Sequence, residues 1–247
     1  EPAQLGLGQE ALELVHDLAP DDDPHGRDRV HAVARREPLV AVDVDLRERE
    51  RALPGVTVGR DQPMMGLTGT SHVELFFEDV KLGREHLLGG EGRGLAIAYS
   101  TLGRVRLAQV GARAIGKASR LATLMTGYAN ERVQFGKPIG EFQMIQQMIA
   151  DSVVEINAAR LMLLRAAWEI DRGRDARDWI SMVKIEASET LGRVADRAVQ
   201  VYGGMGYCAD SAVERLYRDA PLLLIGEGTS EIQRMVIGRK LIEKYKI

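Results

Sequence analysis

Residues 142–170 read FQMIQQMIADSVVEINAARLMLLRAAWEI, and this stretch decides the fold. Phe142, Ile145, Ile149, Val153, Ile156, Leu163, Ala167 and Ile170 fall on one face at helical spacing, so the stretch predicts a long amphipathic α-helix. The same pattern continues on both sides. Downstream, residues 176–202 carry a stripe through Ile180, Val183, Ala187, Leu191, Val194 and Ala198. Upstream, residues 95–130 are rich in Ala and Leu at three- to four-residue spacing. A last helix is predicted after Gly228, with Ser230 and Gln233 as a capping box and Met235, Ile237 and Leu241 as its apolar positions. Short polar breaks at Gly136-Lys137-Pro138 and Gly173-Arg174-Asp175 join long helices. Short connections make sequential helices antiparallel neighbours, which predicts an up-and-down four-helix bundle over residues 91–247.

The texture differs before the bundle. Val56-Thr57-Val58 and Val73-Glu74-Leu75-Phe76-Phe77 read as strands, with Pro63, Gly66 and Gly69 as turn residues between them. Leu39-Val40-Ala41-Val42-Asp43-Val44 reads as another strand, so residues 38–90 form a partial antiparallel β domain that ends at Gly89, Gly90, Gly92 and Gly94. The fold class is therefore mainly α. Residues 1–37 are poorly patterned; the first fifty hold 13 acidic and 6 basic side chains, with no lysine and no aromatic residue.

Composition excludes several classes. The net charge of −3 and 5% aromatic content speak against a nucleic-acid binder, which needs a positive surface and stacking platforms. One cysteine, Cys208, allows no internal disulfide and suits a reducing compartment. No apolar stretch approaches a membrane span and the start resembles no signal peptide, so the expected location is cytoplasmic. His16, His25, His31, His72 and His86 never stand at ligand spacing, so no metal site is expected. There is no G-x-S-x-G elbow, and the glycines at 90–94 and 203–206 lack the strand–turn–helix setting of a dinucleotide fingerprint.

One patch carries chemistry. In Leu222-Leu223-Leu224-Ile225-Gly226-Glu227-Gly228-Thr229-Ser230 a carboxylate follows four aliphatic residues and is flanked by glycines. An apolar setting raises a carboxyl pKa and suits a general base, while the glycines let a ligand approach the backbone. A loop glutamate placed in the dipole of the next helix fits the same pattern. Both readings stand on the residues alone.

Four stretches then resemble signatures of the acyl-CoA dehydrogenase family. They are Tyr128–Ile139 (YANERVQFGKPI), Asp196–Tyr207 (DRAVQVYGGMGY) followed by Glu214–Asp219 (ERLYRD), Gly226–Arg234 (GEGTSEIQR), and the weaker Met65–Thr70 leading into Val73–Val80. They occur in family order and span residues 54–247. The resemblance implies a flavoenzyme that uses FAD to form a double bond between the α and β carbons of an acyl-CoA, in fatty acid metabolism. It implies Glu227 as the base that takes the α proton, with Gly228 beside the acyl chain. It places Arg132 on the FAD pyrophosphate, a task suited to a bidentate guanidinium. Gln134, Phe135, Phe142 and Gln143 follow in the same strip, and Gln200, Gly203 and Gly204 match a segment along the adenosine. Thr229 and Glu231 match further FAD contacts, although the family commonly has glutamine where Glu231 stands.

Two departures accompany the resemblance. An N-terminal helical domain and most of the β domain are expected to be missing, since residues 1–50 do not resemble what precedes the signatures. The D-x-x-R pair that binds the CoA end lacks its aspartate, and either Arg104 or Arg106 faces the substrate, with Arg106 nearer by spacing. The chain is therefore read as an FAD-dependent acyl-CoA dehydrogenase, with a truncated or non-catalytic assembly subunit of the same family as the alternative. A flavin enzyme of the same fold acting on a substrate without CoA is a third reading. The resemblance also implies electron-transferring flavoprotein as acceptor and a homo-oligomer, most simply a tetramer.

Overall fold

The structure is a computed structural model and describes residues 53–246. The strand expected at 39–44 and the segment 1–37 lie outside the described residues. Strands β1 (Val56–Asp61) and β2 (Val73–Phe77) pair antiparallel, with Val56 opposite Phe77 and Val58 opposite Leu75; the register shifts between Val58 and Asp61. Helix α1 (Gly94–Val105) runs through a π-helical segment, Arg106–Ala112, into α2 (Arg113–Glu131). A two-residue hairpin of β3 (Val133–Gln134) and β4 (Lys137–Pro138) leads to α3 (Gln143–Asp171), followed by α4 (Arg177–Tyr202), α5 (Ala212–Ile225) and α6 (Ser230–Lys244).

The central helix is α4, which packs against α2, α3, α5 and α6. Its predicted stripe is the core: Ile180, Val183, Ala187, Leu191, Val194 and Ala198 are all buried. Truncating the fully buried Leu191 there would leave a cavity, a change that costs roughly 2–5 kcal/mol in comparable cores. On α3 the stripe runs slightly differently. Ser152, Ile156, Ala159 and Ala166 face inward, and Val153 is exposed. Small residues at these positions let α3 approach α4 closely, and the Glu155 carboxylate then bridges Arg193 and Arg197 of α4.

The mainly helical architecture with a small antiparallel sheet is as expected; besides the four predicted helices (α1 continuing into α2, then α3, α4 and α6), the described residues hold one more, α5. Helix α5 includes the aliphatic run at 222–225, which the sequence presents only as a lead-in to Glu227. Pro221 inside it breaks the helical signal, because proline removes a backbone donor. Its start is fixed by Ser211, whose Oγ accepts from the Val213 amide. The cap of α6 also differs by one residue. Thr229, not Ser230, is the N-cap, and its Oγ1 accepts from Ile232 N–H; the Gln233 side chain bonds instead to the Gly228 carbonyl.

The β portion is tied to the bundle through α5. The Leu67 amide donates to Asp219 Oδ1 at 2.8 Å and Arg218 Nη1 donates to the Met65 carbonyl at 3.0 Å. Lys117 of α2 holds the other Asp219 oxygen at 2.7 Å. Gly66 lies at this contact, where a Cβ would stand 2.6 Å from the Arg218 carbonyl oxygen. Among the described residues no helix is long and apolar enough to cross a membrane.

Candidate active site and cofactor groove

Two separate clusters hold the residues singled out from the sequence. The first is a groove of about 1050 Å³ between the hairpin, the start of α3 and the end of α4. Arg132, Gln134, Phe135, Phe142, Gln143, Gln200, Gly203 and Gly204 all line it. The hairpin is what gathers them. Phe135 and Gly136 form its two-residue turn with φ of 52° and 83°, the left-handed pair that a tight hairpin of this twist needs. For a bulky residue such as Phe135 that conformation is strained, and strain of this kind collects at functional sites. The ring is 93% exposed and meets solvent rather than a core, with the Phe142 ring edge-on to it at 6.2 Å between centroids.

Groove electrostatics favour an anion. Among the described residues the Arg132 guanidinium has neither an ion-pair nor a hydrogen-bond partner; its main chain alone is engaged, with Tyr128 and Ile139. An ion pair with Glu131 or Asp171 is not formed. Glu141, the one lining carboxylate, is matched by Lys137 at 3.8 Å. Gly203 turns the chain at the end of α4 with φ of 58°, and added Cβ atoms at Gly203 and Gly204 would meet open space. Tyr128 and Tyr202 stack at 4.1 Å as one wall, with the Tyr202 hydroxyl donating to the Leu124 carbonyl.

The second cluster surrounds Glu227 in the turn between α5 and α6. Glu227 and Gly228 take φ of 57° and 93°. Arg106, carried on the π-helical segment, donates Nε–H to the Glu227 carbonyl oxygen at 2.6 Å. The carboxyl itself is left without a partner: Glu227 Oε2 is buried and unbonded among the described residues, as is Ser230 Oγ beside it. Burial pushes the Glu227 carboxyl above the ordinary carboxylate range, while the nearby Arg106 and Lys184 charges pull it partly back. Thr229 and Glu231 sit at the start of α6. The Glu231 carboxylate accepts from its own amide and from Thr229, which holds its pKa low.

Glu227, Gly228, Thr229, Glu231 and Arg106 do not line the groove. Arg106 meets the main chain of the Glu227 turn. Sequence reasoning missed Lys184, a fully buried cation near Glu227, because one lysine in a helix reads as part of a solvated face.

Residues 92–242 match the family model "Acyl-CoA dehydrogenase, C-terminal domain". The chain is 42% identical over 195 residues to acryloyl-CoA reductase (NADH) of Anaerotignum propionicum, covering 79% of this chain and 49% of that protein. Butyryl-CoA dehydrogenase of Megasphaera elsdenii superposes with a TM-score of 0.74 at 39% identity, over 77% of this chain and 50% of the other. The structure described as PigA with FAD and proline superposes with a TM-score of 0.76 at 32% identity, over 78% and 50%. The chain thus spans about half the length of the curated relatives it matches.

Proposed function

The chain belongs to the acyl-CoA dehydrogenase family, an FAD-dependent family, and from that premise we propose that it serves α,β-dehydrogenation of an acyl-CoA thioester with Glu227 as the base. The single observation that carries this reading is the Glu227 carboxyl, which is buried on one oxygen, unpartnered and raised in pKa on a strained turn. A structural carboxylate is paired; one left unpaired in an apolar setting is poised to accept a proton.

The groove fits FAD. Its free guanidinium on Arg132 suits a pyrophosphate, Gln134, Gln143 and Gln200 offer amides, and Gly203 and Gly204 leave room for close approach. Phe135 and Phe142 offer aromatic surface, and Thr229 and Glu231 are further candidate contacts. When bound, FAD supplies the acceptor for the hydride that leaves the β carbon. Glu227 takes the α proton; its main chain would help hold the thioester carbonyl, where enolate charge develops, and Gly228 would lie beside the acyl chain. Arg106 holds the turn from behind through the Glu227 carbonyl. A carboxyl of raised pKa serves the reverse direction equally, returning a proton to the α carbon, which suits the likeness to a reductase.

The reading includes a homo-oligomer, a tetramer by the family resemblance. Exposed apolar side chains on α3 and α6, among them Leu161, Met235 and Ile242, supply material for the contacts. Electron-transferring flavoprotein is the proposed acceptor. Anaerobic addition of acyl-CoA to the FAD-loaded protein tests the proposal: bleaching of the flavin band supports it, and an unchanged spectrum with FAD bound contradicts it.

A further inference from the structure

Helix α4 carries one cation inside its apolar stripe. Lys184, next to Val183 on the core side, is 0% exposed. Its ammonium donates to the main-chain carbonyl of Leu224 at 2.6 Å, the penultimate residue of α5. Carbonyls at a helix C-terminus lack intrahelical donors, and a cation there also meets the negative end of the helix dipole. Water or a polar side chain can do that much at less expense, because burying a lysine carries a large desolvation cost.

What sets this end of α5 apart is its continuation. Three residues beyond Leu224 stands Glu227 on its left-handed turn. The Gly226 amide bonds back to the Leu222 carbonyl at 2.7 Å, so the chain between the lysine's anchor and Glu227 has little slack. The charged groups facing Lys184 are Glu231 of α6, Glu189 of α4, Arg106 of the π-helical segment and Glu227 itself. Burial lowers the Lys184 pKa, the carboxylates oppose that shift and Arg106 adds to it.

We infer that Lys184 is a positioning residue for Glu227: by holding the Leu224 carbonyl it fixes the turn that presents the carboxyl, and it sets an ammonium close to that turn. The inference rests on reading Glu227 as the base. It distinguishes Lys184 from a plain cap of α5, which would steady the helix and leave the carboxyl's acidity alone.

The test is a ¹³C NMR titration of the Glu227 carboxyl in the full chain, its signal assigned by its loss in Glu227→Gln. In Lys184→Met, of similar length and no charge, the Glu227 midpoint should rise by about one pH unit, since removing a nearby cation favours the neutral acid. In the FAD-loaded protein, the pH profile of flavin reduction by acyl-CoA should move upward with it, with roughly a tenfold loss of rate at the parent's optimum. An unmoved midpoint in folded Lys184→Met overturns the inference. If Lys184→Met does not fold, Glu227→Gln decides, because the coupling is reciprocal. Loss of the Glu227 charge should lower the Lys184 midpoint, read from its ¹³Cε signal, and no shift there overturns the inference as well. The titrations need no flavin. A chain that shows the coupling but whose bound flavin acyl-CoA never bleaches would count against the dehydrogenase reading alone.

Discussion

Arg106 Nε lies 2.6 Å from the main-chain carbonyl oxygen of Glu227, so the arginine grips the backbone of the turn and leaves the carboxyl unbonded. The π-helical segment makes this possible by changing the register between α1 and α2. Within it Gly111 lies so close to α4 that a Cβ would stand 2.7 Å from Val183 Cγ1. Such segments recur at functional sites.

Arg106→Ala should therefore loosen the turn. A hydrogen bond from a charged donor contributes roughly 1.5–3 kcal/mol. Urea unfolding of the variant should show a loss of that size with an unchanged denaturant slope. Stability equal to the parent's would mean that the bond does not hold the turn.

Gly228 should resist substitution where another glycine welcomes it. At φ of 93° an alanine is strained, and its Cβ would lie 2.6 Å from Gln233 Nε2, which is buried. Gly228→Ala should lower stability by about 1 kcal/mol or more. Gly116, exposed inside α2 with open space around its would-be Cβ, makes the control. There alanine should stabilise by roughly 0.5–1 kcal/mol. Thermal melts of the two variants should move in opposite directions.

Acid should release the β portion from the bundle. Burial alone would raise the Asp219 pKa, but the Lys117 ammonium and the Leu67 amide outweigh it and hold the carboxyl low. A carboxylate with a depressed folded pKa contributes stability in full above its unfolded value, about 3.9, and loses it as pH falls through the folded value. Asp175, held low by Arg177 and Lys240, adds to the same trend. Unfolding free energy should fall as pH drops below about 5. The gap between the parent and Asp219→Asn should narrow over that range, and a gap constant down to the lowest pH would contradict the assignment.

The sequence made some of this legible and hid the rest for physical reasons. The α4 stripe is visible because its apolar face repeats at the helical period, and the strands at 56–58 and 73–77 because β-branched and aromatic residues cluster there. Helix α5 is hidden by Pro221, and the hairpin at 133–138 by a Phe-Gly turn lacking the usual Asn or Asp. Eight candidate residues proved to share one groove because they border a single connection and one helix end. The links from Arg106 and Lys184 to the Glu227 turn join residues far apart in the chain, which no local pattern reports. Arg218 and Asp219, part of a family signature, turn out to anchor the β portion.

Arg132 carries the groove's free positive charge. If it holds the pyrophosphate, Arg132→Ala should weaken FAD retention by roughly 1.5–3 kcal/mol and leave helix content unchanged. Flavin occupancy after gel filtration, at matched protein concentration, measures it. Equal occupancy in variant and parent would remove Arg132 from the cofactor site.

The central claim is that Glu227 takes the α proton. Glu227→Gln preserves shape and removes the base; it also removes a carboxylate whose raised pKa costs stability at neutral pH, so the variant should be at least as stable as its parent. Stopped-flow measurement of flavin reduction by acyl-CoA under anaerobic conditions tests the claim most directly. With FAD and ligand still bound, the account predicts a rate lower by two or more orders of magnitude in Glu227→Gln; a rate equal to the parent's would contradict it.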